Sequence, residues 1–174
     1  MKLTGIAAPF NSRSVNLGGF VEVIHPGAFS RTLRQADQFA VHHHDFANLL
    51  GSTRSGTLTL NEDQQGLRFT LNLPDTGLGR DVHALVKRGD LAHMSFSFLI
   101  PQASGETWRE LGDGTLERTL LDIDLFEIST VAAPAYRDSK VSARADQQAT
   151  AIRNRMRRRM METRYTTAVR LEAA

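Results

Sequence analysis

A chain of 174 residues, 41% of them hydrophobic, suits one domain with a real core and a tail beside it. It has no cysteine, which excludes disulfides, thiolate chemistry and cysteine-bound zinc; it has no apolar run long enough for a membrane helix, and its opening MKLTGIAAPFNSRS does not read as a signal peptide. The net charge of +2 is uneven: residues 139–174 hold nine Lys or Arg against three Asp or Glu, leaving residues 1–138 mildly acidic.

In chain order, LTGIAAPF reads as a first strand, NSRSVNLGG as a loop and FVEVIH as an alternating strand. PGAFSRTLRQ reads as a short helix, with Pro26 tolerated at its start. FAVHHH is a strand candidate. LLGSTRSGTLTLNEDQQGLRFTLNLP suggests two strands joined by the turn NEDQQG. The period then changes: Leu78, Val82, Leu85 and Val86 fall at helical spacing, with Asp75 or Thr76 to cap the start and Gly89 to end the helix. LAHMSFSFLI returns to period two, PQASGETWRELGDG holds a short strand or loop, and TLERTLLDIDLFEISTV reads as one long strand stopped by AAPAYRDS. That order predicts a mainly β domain over 1–138, antiparallel and barrel-like, with short helices. Residues 139–174 lack Gly and Pro and read as a basic helical tail, with Ile152, Met156 and Met160 as an apolar stripe among five arginines between Arg153 and Arg159.

The chemistry concentrates in VHHHD, since half of the six histidines stand there. Read as strand, His42 and His44 share one face and His43 takes the other. Three uses compete. A metal would need His42 and His44 with a distant His83 or His93, but no familiar ligand spacing is present. The histidines could instead fill a sheet edge and bond backbone. Or one imidazole serves as general base, which then needs a hydroxyl and an orienting acid. In HMSFSF, Met94, Phe96 and Phe98 form a core face, so Ser95 and Ser97 share the other. In LLDIDLFEISTV, Leu121, Ile123, Leu125 and Glu127 share parity, so Glu127 extends an apolar row and wants a polar partner. Histidine, serine and acid thus fall on three separate strands.

Four stretches in this order resemble the prohead proteases of tailed phages, the serine peptidases of capsid maturation, themselves distantly similar in fold to herpesvirus assemblin proteases. They are GIAAPFNSRS, VIHPGAFSRTL, HHHDFANLLGS, and the pair HMSFSF and LFEISTVAAPAYRDS, so the resemblance spans roughly residues 4–138. It implies that His44, directly before Asp45, is the base, Ser95 the nucleophile and Glu127 the acid. The family commonly has Gly where this chain has His93 and Ser97. His42 and Ser97 are further candidates near the site, His93 would give a Ser-His-His variant, and Arg137 is an oxyanion candidate by analogy with assemblins.

The resemblance further implies a job: cleaving scaffold segments from the major capsid protein, and the protease itself, inside the immature shell in the host cytoplasm. No cofactor or metal is called for. Partners are then the capsid protein and its scaffold segment, with a homodimer admitted by the assemblin likeness, no membrane, and nucleic acid only as a rival use of the arginine-rich tail. The alternative is an assembly protein on the same fold with a weak or inactive site.

Overall fold

The computed structural model describes residues 1–144, which form one compact unit. Eleven strands and two helices lie among them: β1 (Lys2–Pro9), β2 (Phe20–Ile24), α1 (Thr32–Gln35), β3 (Phe39–His42), β4 (Asp45–Ser52), β5 (Leu58–Glu62), β6 (Gly66–Asn72), α2 (Gly77–Arg88), β7 (His93–Leu99), β8 (Glu106–Glu110), β9 (Leu116–Leu120), β10 (Asp124–Val131) and β11 (Lys140–Arg144). The chain is mainly β, as its alternating runs predict. The barrel-like closure is not found: among the described residues the strands make three open sheets, ordered β11-β1-β6-β5, β4-β3-β10-β7 and β2-β9-β8.

One reason lies at β7. Its outer edge meets a side chain instead of another strand: Ser139 Oγ accepts from Met94 N–H at 3.1 Å and donates to Met94 O at 2.7 Å. A single hydroxyl thus satisfies backbone groups that a closing strand would otherwise take.

The sheets enclose one core. Leu3, Phe29, Met94, Leu125 and Ile128 are buried, and within the core the Phe96 ring meets Phe29 edge to face and stacks on Tyr136. Helix α2 follows its sequence signals. Thr76 accepts from Gly79 N–H at the start, Gly89 ends it at φ 94°, and Val82 and Val86 face inward. The turn between β5 and β6 also falls where expected.

Four elements differ from the sequence reading. The helix at PGAFSRTLRQ shrinks to α1, because residues before Thr32 are spent in turns. DFAN, left without an assignment, joins LLGS, read as part of the following two-strand stretch, in a separate strand β4. Lys140–Arg144, at the head of the presumed tail, pairs with β1; the remainder of that tail lies outside the described residues. Finally, TLERTLLDIDLFEISTV, read as one long strand, is two strands, β9 and β10, in two sheets. Between them Leu121 and Asp122 both donate to Gly105 O, and Ile123 donates to Ala28 O, so the backbone turns away from the ladder while Leu120 and Ile123 stay buried.

Candidate active site

Strands β3, β10 and β7 lie side by side, β10 parallel to β3 and antiparallel to β7. Directly opposed residues share a face. Phe96 opposite Ile128 and Phe98 opposite Leu125 pack on the core side. Ser95 opposite Ser129 and Ser97 opposite Glu127 therefore stand on the outer face. The expected row Leu121–Ile123–Leu125–Glu127 is not continuous: the register shifts between Leu125 and Glu127, and Phe126 is the extra residue. Such a bulge reverses the parity beyond it. It turns Phe126 toward solvent and brings Glu127 to the face of the serines, where its side chain is still buried.

The histidines do not continue β3. Strand β3 ends at His42, opposite Asp45 of β4, and His43 and His44 are the two residues of the hairpin turn. Their φ values are 54° and 59°, the left-handed region that two-residue hairpin turns demand at both central positions and that usually selects Asn or Gly. Polar contacts to β10 hold the turn there. His43 N–H donates to Thr130 O at 3.1 Å, and His44 N–H donates to Ser129 Oγ at 2.8 Å. Strain of this kind persists where surrounding structure over-determines it.

The turn sends the three rings to different places. His44 Nδ1 lies 2.7 Å from Glu127 Oε1, with the imidazole 40% exposed and the carboxylate 1% exposed. Glu127 is the acceptor, so Nδ1 carries the proton and Nε2 presents a lone pair; among the described residues no hydrogen bond engages Nε2. Ser97 Oγ also approaches Nδ1, at 3.2 Å. His42 turns to the other side of the sheet, its Nδ1 2.8 Å from Thr130 Oγ1, and burial together with neighbouring His43 lowers its pKa. His42 and His44 therefore do not share a face, because the strand that would have aligned them is a turn. His93 Nδ1 bonds Ser139 O at 3.0 Å, and His83 sits on α2. No group of three candidate metal ligands converges among the described residues. Arg137 is exposed, in the segment between β10 and β11.

The structure thus brings His44, Glu127 and Ser97 into direct contact and mounts Ser95 on the same face, one pleat along. No hydrogen bond joins Ser95 to His44. Sequence reasoning missed Ser129, which takes the backbone N–H of His44; its parity with Glu127 was the available signal.

An imidazole held by a buried carboxylate, beside hydroxyls on a neighbouring strand, is the furniture of a serine hydrolase. The family described as caudovirus prohead serine protease matches residues 1–153, and the chain belongs to it. No curated protein matches the chain.

Proposed function

We propose that this chain is a serine endopeptidase that cuts scaffold segments from the capsid protein, and cuts itself, inside the immature shell in the host cell. The observation that carries the reading is the 2.7 Å bond from His44 Nδ1 to buried Glu127, which leaves Nε2 free as a base on the serine-bearing face. Ser95 is the proposed nucleophile, as the family resemblance implies, and its place opposite Ser129 puts it beside the residue that anchors His44.

The steps follow from those positions. Nε2 takes the Ser95 hydroxyl proton as Oγ bonds to the peptide carbonyl carbon. Nε2 then gives that proton to the leaving amine as the C–N bond breaks. Water attacks the acyl-enzyme by the same route in reverse. Glu127 fixes the tautomer and stabilises the imidazolium in both halves. The developing oxyanion needs donors; the groups available are backbone N–H groups beside Ser95 and, through a bridging water, Arg137. Catalytic hydrogen bonds of an empty site tighten in the complex, so the unbonded Ser95 is compatible with this role.

The proposed partners are the capsid protein with its scaffold segment and a second copy of the chain, with the basic tail as a docking element. A second reading, an assembly protein that does not cut, draws on the missing Ser95–His44 bond and on side chains at His93 and Ser97. Co-expression with the capsid precursor separates them. Trimmed products that vanish with Ser95→Ala and survive a chelator support the peptidase. Loss caused by the chelator alone points to a metal enzyme, and no trimming at all points to the assembly protein.

A further inference from the structure

The buried carboxylate Glu127 uses one oxygen on His44, while Oε2 is buried with no hydrogen-bond partner. Glu127 alone is therefore an incompletely tied anchor for the ring. Ser97, its cross-strand neighbour, stands 3.2 Å from the same Nδ1. With the Nδ1 proton committed to the carboxylate, Ser97 Oγ cannot pass its own proton to that nitrogen. It can only act as a second acceptor for Nδ1–H.

We propose that Ser97 is a positioning residue: its hydroxyl, together with Glu127, clamps the Nδ1–H of His44, so that Nε2 is held toward Ser95 and the imidazolium is stabilised. The inference rests on the peptidase reading above. Two acceptors on one N–H resist rotation of the ring and face the positive charge that develops on it during catalysis. Other titratable side chains on the surrounding elements are His42 on β3, Asp45 on β4, His43 in the turn, His93 on β7 and Asp124 at the start of β10, which is paired with Arg31. Asp45 is engaged by Ala47 N–H and the Asn48 side chain, and His93 by Ser139, so neither supplies this contact.

The test is kinetic, on the full chain with a cleavable capsid-precursor peptide. Ser97→Ala should lower kcat/KM by about 3- to 10-fold, the size expected for one neutral hydrogen bond. It should also move the acid limb of the pH profile to lower pH, because a less stabilised imidazolium loses its proton more easily. Ser97→Thr, which keeps the hydroxyl, should restore both. A fluorophosphonate probe should label Ser95 in the wild-type chain and in Ser97→Ala. An unmoved acid limb, failure of Thr to rescue, or probe found on Ser97 overturns the proposal. Absence of cleavage by the wild-type chain instead overturns the peptidase reading beneath it.

Discussion

Replacing His43 by Asn should make the protein more stable without slowing cleavage. His43 sits at φ 54°, and a left-handed residue with a Cβ costs on the order of 1 kcal/mol, a penalty that Asn largely escapes. Its ring lies against His42, with centroids 4.1 Å apart, and losing that edge contact gives back about 0.5 kcal/mol. The side chain is otherwise exposed, and the N–H to Thr130 O survives any substitution except Pro. The net gain is therefore about 0.5 kcal/mol. Unfolding entropy of roughly 2 cal/mol/K per residue gives about 0.3 kcal/mol per kelvin for the described unit, so Tm should rise by about 2 °C. His43→Gly should gain nothing, since glycine's extra freedom in the unfolded chain costs about 0.5–1 kcal/mol and cancels or exceeds that net gain. Differential scanning fluorimetry on the three chains checks that Asn melts highest, with Gly at or below His. A fall in Tm for Asn, or Gly above Asn, would refute the claim that left-handed strain dominates this turn.

Three further outcomes can be measured. Tyr136 donates to buried Glu22 at 2.7 Å, and burial, with the Glu22 carboxylate beside it, raises the phenol pKa. That contribution is complete below the unfolded value near pH 10 and is lost as pH rises past it, so Tyr136→Phe should cost about 1–3 kcal/mol at pH 7 and flatten the alkaline decline in urea titrations. Burial acts to raise the Glu117 pKa, but Arg13 and Arg109, at 2.7 and 2.6 Å, outweigh it and lower the pKa. Its contribution is present above the unfolded carboxylate value and lost as pH falls through the lower folded one; Glu117→Gln should be less stable at pH 7 and show a shallower acid limb in the same titration. A Cβ at Gly5 would collide with the Lys140 carbonyl and press on Phe69, so Gly5→Ala should detach β11 from β1 and cost about 1–3 kcal/mol, read by denaturation and by faster amide exchange in Lys140–Arg144.

Much of the fold was legible where one period ran unbroken. HMSFSF alternates without interruption, and Met94 and Phe96 are buried while both serines face out. The helix over Gly77–Arg88 carried a cap, a stripe and a glycine stop, and all three signals agree with its bounds. Legibility failed where the backbone departs from a period for reasons the pattern does not encode. The His43–His44 turn has neither Asn nor Gly to announce it, because contacts to β10 hold it there. The bulge at Phe126 looks like ordinary alternation until the register with β7 is known. Parity and structure both give Glu127 a polar partner, but parity had it extending an apolar row and the bulge moves it to the opposite face. The contact of Ser97 with His44 depends on that same long-range register, which no local stretch specifies.

Strand β10 has a consequence for when the protein can act. Among the described residues it is the only strand bonded to both β3 and β7, and it is the last of the three to be synthesised. Until residues 124–131 have left the ribosome and inserted between the other two, the histidine turn has no anchor and the serine strand has no neighbour on that side. A chain halted before that point would carry base and hydroxyl but remain inert. On the peptidase reading proposed above, such a delay would keep the nascent polypeptide from cutting itself during translation.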